Sequence, residues 1–121
     1  MTKSGIIADD DASLRGGLAR FLRGAVTDAK IDEVSDGESL VQKVLGGGYS
    51  LVITDYDMGR GMTGVSAIRA IRASAATTPI FMLSGSDKRE EALEAGATGY
   101  FPKNSRDITT LLKEVAQKYL N

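Results

Sequence analysis

The chain has 121 residues, enough for one domain with an ordinary core and no need of covalent staples. It contains no cysteine and no histidine, which excludes disulfides, thiolate and imidazole metal ligands, serine–histidine catalysis and a phosphohistidine carried on this chain. With 15 basic and 16 acidic residues, a net charge of −1 and no basic block, nucleic acid is not an expected direct partner.

In chain order, Met1-Thr2-Lys3-Ser4 leads into Gly5-Ile6-Ile7-Ala8, a run too short for a signal peptide or a membrane span, so a cytoplasmic protein with no membrane contact is expected. Ile6 to Ala8 reads as a strand covered on both faces, and so do Leu51 to Ile53 and Ile80 to Leu83. Leu14, Leu18, Phe21 and Leu22 have helical spacing. Ala29 to Val34 alternates as an exposed edge strand does. Further helical faces follow at Leu40, Val41, Val44 and Leu45, at Val65, Ile68 and Ile71, and at Ile108, Leu111, Leu112, Val115 and Tyr119. Between the last two, a short fourth helix ends at Ala92 to Ala95 before Gly96, and Gly99-Tyr100-Phe101 forms a weaker fifth strand. Five β-α repeats predict a doubly wound parallel sheet with helices on both faces, in which sites form beyond the carboxyl ends of the strands.

Those ends carry chemistry. Asp9-Asp10-Asp11 follows the first strand, Asp55 the third and Ser84-Gly85 the fourth, while Lys103 comes shortly after the fifth. Acids gathered at one sheet edge repel one another unless a cation or proton joins them, so a divalent metal site around Asp55 is expected. Each residue also has a simpler explanation. The acids could cap a helix, Ser86 or Asp87 could cap the next one, and Lys103 could be a solvated lysine. One cap needs one acid, however, and the combination at four strand ends exceeds what capping requires.

This ordered set, together with Asp57-Met58, Ser35-Asp36-Gly37-Glu38, Glu94-Ala95-Gly96-Ala97 and Gly99-Tyr100-Phe101-Pro102-Lys103, resembles the receiver domain of two-component response regulators, similar to the stand-alone chemotaxis type. The likeness runs from Ile6 to about Leu120 and implies a flavodoxin-like fold with strand order 2-1-3-4-5 and five helices, residues 1–121 being a single receiver domain without an effector domain. It implies that Asp55 is the phosphoacceptor, taking a phosphoryl group from a phosphohistidine of a histidine kinase or histidine phosphotransfer protein. Mg²⁺ would be the cofactor, with Asp10 as direct ligand, Asp9 through water, Asp55 itself, and the backbone carbonyl of Asp57 as a further oxygen. Lys103 and Ser84 would contact phosphoryl oxygens, and Ser84 with Tyr100 would form the switch. The chain would catalyse only its own phosphorylation and dephosphorylation, acting through a downstream protein target as a monomer or weak dimer.

The sequence departs from the family pattern in three places. Gly59 replaces a proline, in a segment from Asp55 to Gly64 that is one residue longer than usual and also holds Arg60 and Gly61. Asn104 replaces the proline after Lys103, which makes a trans bond the expected one. The stretch from Ser84 to Lys103 is about three residues short, which confines the fourth helix to roughly Lys88 to Ala95. The acid at Asp57 is also unusual, and its side chain is a candidate modulator of acyl-phosphate lifetime. Two other classes compete: a receiver-like interaction module working without phosphorylation, and a haloacid-dehalogenase-like phosphohydrolase suggested by Asp55-Tyr56-Asp57.

Overall fold

The computed structural model describes residues 2–59 and 61–121. Strands and helices alternate without exception: β1 (Lys3–Ala8), α1 (Ala12–Ala25), β2 (Ala29–Val34), α2 (Gly37–Leu45), β3 (Tyr49–Asp55), α3 (Gly64–Ala73), β4 (Ile80–Ser84), α4 (Arg89–Ala95), β5 (Gly99–Pro102) and α5 (Ile108–Leu120). The five strands form one parallel sheet in the order β2-β1-β3-β4-β5, as expected, with β2 at one edge and β5 at the other.

Alternating side chains of the central strands explain why helices cover both faces. Ile6, Ala8, Val52, Ile80 and Met82 point to the face packed by Leu40 and Val44 of α2, Ile68 and Ile71 of α3, and Ala92 of α4. Ile7, Leu51, Ile53, Phe81 and Leu83 point to the other, packed by Ala19 and Leu22 of α1 and Leu112, Val115 and Ala116 of α5. Single alternation in β2 sends Val34 to the first core and Ile31 to the second, leaving Lys30 and Glu33 exposed at the edge.

Helix starts follow local chemistry. Asp11, Asp36 and Thr63 each cap a helix by accepting a hydrogen bond from the main-chain amide three residues on. Capping therefore accounts for Asp11 and leaves Asp9 and Asp10 to other roles. The fourth helix corrects an expectation. It begins at Arg89, within one residue of the expected start, but neither Ser86 nor Asp87 occupies the cap, where Lys88 stands without a side-chain capping bond. Serine 86 is instead turned back onto Ser84, which takes it out of reach of the helix start. The peptide bond between Lys103 and Asn104 is trans, as are all others among the described residues. Of the long segment after Asp55, Gly59 and Gly61 have φ of 71° and 93°, conformations open to glycine, while Arg60 lies outside the described residues.

Candidate functional site

Among the described residues the buried polar ones are Asp9, Thr54, Asp55 and Ser84, and all four stand at the carboxyl edge of the sheet. Parallel register is what aligns them. Ala8 pairs with Thr54, and Asp55 with Leu83, so the turns leaving β1, β3 and β4 open side by side.

Asp55 is the last residue of β3 and is 9% exposed. Its Oδ1 accepts from the amide of Tyr56 at 2.8 Å, and its Oδ2 lies 3.2 Å from Lys103 Nζ. The same ammonium reaches Asp9 Oδ2 at 3.4 Å, so one cation from after β5 bridges two carboxylates at the ends of β1 and β3. Asp9 is 2% exposed, and its second oxygen accepts from the Asp11 amide at 3.0 Å. Asp10 is exposed. Burial pushes the Asp55 carboxyl above the ordinary carboxylate range; Lys103 pulls it down without cancelling that, and Asp9 adds to the rise. Burial alone would lower the Lys103 pKa, but Asp55 and Asp9 together hold it above its ordinary value. The pair is thus a tight ionic contact in which the acid is the reluctant partner.

One carboxylate oxygen from each of Asp9, Asp10 and Asp55 falls within 4.8 Å of the others. This all-oxygen, anionic donor set suits a hard divalent cation such as Mg²⁺, and the chain has no imidazole or thiolate to offer a softer metal. Met58 and Gly64 fix the loop that faces it. Met58 is buried and its Sδ lies 3.9 Å from Thr54 Oγ1, while the Gly64 amide donates to the Tyr56 carbonyl at 2.8 Å. Gly64 is obligatory here, since a Cβ would stand 2.0 Å from the Asp55 carbonyl oxygen. The exposed Asp57 uses Oδ1 to accept from the Gly59 amide at 3.3 Å.

Not every expected residue joins this cluster. Ser84 is buried at the end of β4, and its hydroxyl serves its own turn, accepting from the Ser86 amide at 3.2 Å with Ser86 Oγ at 3.3 Å. Tyr100 is 5% exposed, more deeply placed than a half-buried strand residue. Its hydroxyl donates to the Ser86 carbonyl at 2.5 Å and accepts from the Lys88 amide at 3.2 Å, which ties β5 to the turn that Ser84 begins. The bridge from Lys103 to Asp9, the Met58 anchor and the Tyr100 anchor were not anticipated; the signal for Met58 was only a methionine set among polar and glycine residues.

The model of the response regulator receiver domain matches residues 6–116, and the chain belongs to this family. It is 32% identical over 120 residues to the chemotaxis protein CheY of Pseudomonas aeruginosa, covering 93% of this chain and 92% of that protein. It is 34% identical over 110 residues to the oxygen regulatory protein NreC of Staphylococcus epidermidis, covering 88% of this chain but 50% of that protein. Among solved structures, the chemotaxis response regulator CheY4 of Vibrio cholerae superimposes with a TM-score of 0.81 at 26% identity, covering 99% of this chain and 100% of that one. The chain is therefore a receiver domain of two-component signalling, with an acidic pocket at the carboxyl edge of its sheet. No described helix is long and apolar enough to cross a membrane.

Proposed function

We propose that this protein is a phosphoacceptor switch in a two-component or phosphorelay system. The observation that carries the reading is the buried Asp55, held by Lys103 at 3.2 Å inside a cluster of three carboxylates. A carboxylate oxygen of Asp55 attacks the phosphorus of a phosphohistidine on a partner kinase or phosphotransfer protein; the new P–O bond forms as the P–N bond breaks, and the imidazole leaves. Asp9, Asp10 and Asp55, with the main-chain carbonyl of Asp57, would hold Mg²⁺, which when bound supplies charge that neutralises the phosphoryl oxygens. Lys103 is already within reach of Asp55 and exchanges a carboxylate contact for a phosphoryl oxygen. Its raised pKa keeps it cationic throughout the neutral range.

Ser84 then has two competing uses for one hydroxyl. Its Oγ accepts from the Ser86 amide, and turning the side chain so that its O–H reaches the phosphoryl group would carry Oγ away from that amide; the turn so released is the one that Tyr100 grips. This is how charge at Asp55 would alter the surface around α4 and β5 and with it the binding of a downstream protein, by shifting a balance between two arrangements.

Incubation with acetyl phosphate, with and without Mg²⁺, followed by mass spectrometry of wild type and Asp55→Asn, tests the reading. One added phosphoryl group that needs Mg²⁺ and is absent from the variant is expected. Failure of folded wild type to be modified, by acetyl phosphate and by a phosphorylated histidine kinase alike, would favour an interaction module working without phosphorylation. Decay of the modified protein also examines Asp57, whose exposed carboxylate would repel or orient the attacking water; an unchanged rate in Asp57→Asn would end that role.

A further inference from the structure

Arg15 lies on α1, and its guanidinium turns back toward the β1–α1 turn. Its Nη1 donates to the main-chain carbonyl of Asp9 at 2.8 Å, and its Nε lies 3.2 Å from Glu33 Oε1 on β2, with 19% of the side chain exposed. Glu33 is itself held from the far side by Arg23, whose Nη2 is 3.9 Å from Oε2 and donates to the Ile31 carbonyl at 2.9 Å. Arg23 and Glu33 thus fix the direction in which Arg15 reaches. The Asp9 amide donates to the Val34 carbonyl at 3.2 Å, so the main chain on both sides of Asp9 is pinned, one side by the sheet and the other by Arg15.

The consequence falls on the next residue. The peptide plane between Asp9 and Asp10 is planar and stiff, so fixing its carbonyl fixes the Asp10 Cα from which that side chain departs. No hydrogen bond from a described residue holds the Asp10 carboxylate, which is exposed, yet it is one of the three that converge within 4.8 Å. Its aim therefore has to come from the backbone.

We propose that Arg15 is a positioning residue for the divalent-cation site: through the Asp9 carbonyl it sets the direction of Asp10, and Glu33 both orients it and neutralises its charge beside the acids. This rests on the reading of the acid cluster as a Mg²⁺ site. Geometry and charge make opposite predictions here. If Arg15 acted only as a nearby positive charge, removing it would strengthen cation binding; if it positions Asp10, removing it weakens binding although a repelling charge has gone. Outer-shell groups of this kind are worth roughly 10-fold or more in metal affinity.

Calorimetric titration of Mg²⁺ alone into wild type, Arg15→Met, Arg15→Lys and Glu33→Gln, with circular dichroism to verify the fold, decides between them. Arg15→Met is expected to bind Mg²⁺ about 10-fold more weakly than wild type. Glu33→Gln would weaken binding through charge as well, so Arg15→Lys, which keeps the charge and loses the fork joining the Asp9 carbonyl to Glu33, decides the matter should Arg15→Met fail to fold: weaker binding than wild type is expected of it too. Equal or tighter binding in a folded variant, where wild type binds Mg²⁺, would overturn the positioning role and leave the metal site standing. Wild type that binds no Mg²⁺ would overturn both.

Discussion

On the β1 and β3 side of the carboxyl edge, side chains are held by charge and by main-chain restraint; on the β4 and β5 side, they are held by neutral hydroxyls in a short turn. Asp9 alone meets Val34, Asp11, Arg15 and Lys103, and Asp55 meets Tyr56 and Lys103. Across the edge, the Ser84 hydroxyl meets only its neighbour Ser86 while its carbonyl accepts from the Lys103 amide at 2.9 Å, and α4 is a seven-residue helix that starts without a side-chain cap. Helices so short gain little from their own hydrogen bonds and depend on packing. The difference teaches where movement is cheap. Under the proposed function, a group transferred to Asp55 would arrive at the rigid side, and any rearrangement it causes would be taken up on the side with fewer restraints.

The largest expected effect comes from breaking the rigid side at its closest contact. Gly64→Ala would place a methyl 2.0 Å from the Asp55 carbonyl oxygen, which cannot yield without moving β3, and 2.8 Å from Met82 Cε at the end of a flexible side chain. A loss of about 3 kcal/mol is expected from such overpacking, read by urea denaturation. A loss below about 1 kcal/mol would mean that the start of α3 is free to shift, and that the rigid side is less rigid than its contacts suggest.

The yielding side has one charge-assisted restraint that comes from α3, besides the grip of Tyr100 on its turn. Arg72 on α3 donates through Nε to the Gly96 carbonyl at 2.8 Å and through Nη1 to the Ala76 carbonyl at 2.9 Å, closing the end of α4 where Gly96 takes a φ of 112°. Arg72→Met keeps an apolar stem of similar length and removes both charge-assisted bonds, so about 2 kcal/mol should be lost. Hydrogen exchange should show that loss concentrated in α4 rather than spread over the sheet. Faster exchange in β1 and β3 as well would erase the contrast between the two sides.

How much of this was legible in the sequence follows the range of the interaction. The apolar runs Ile6 to Ala8, Leu51 to Ile53 and Ile80 to Leu83 mark buried strands because the chain alone decides whether both faces are apolar, and the ends of those runs put Asp9, Asp55 and Ser84 on one edge. The cap at Asp11 is equally local. Lys103 and Asp9 are 94 residues apart, and Arg15 and Glu33 are 18 apart, so no spacing rule connects either pair before the sheet is assembled. Tyr100 was readable as a strand residue, but its hydroxyl finds the Ser86 carbonyl only because the stretch between them is short and folds back. The short spacing from Ser84 to Lys103 placed α4 to within one residue, but Ser86 and Asp87, which look like caps, do not cap it, because Ser86 turns back onto Ser84.

The smallest effect tests the balance inside the rigid side itself. Burial raises the Asp55 pKa above its ordinary value of 3.8 more than Lys103 lowers it. The folded state therefore holds the Asp55 proton more tightly than the unfolded chain does. The stability linked to that proton is complete below the ordinary carboxylate value and is lost as pH rises through the folded-state one. Asp55→Asn cannot ionise and escapes this loss, while Lys103 keeps its second partner, Asp9, at 3.4 Å. Thermal unfolding of wild type and variant without divalent cations should thus show the variant gaining on wild type between about pH 4 and about pH 7. If the difference shrinks over that range, Lys103 attracts the carboxylate more strongly than burial disfavours it. Asp55 would then be a satisfied ion pair rather than a buried acid whose unfavourable charge a bound cation relieves.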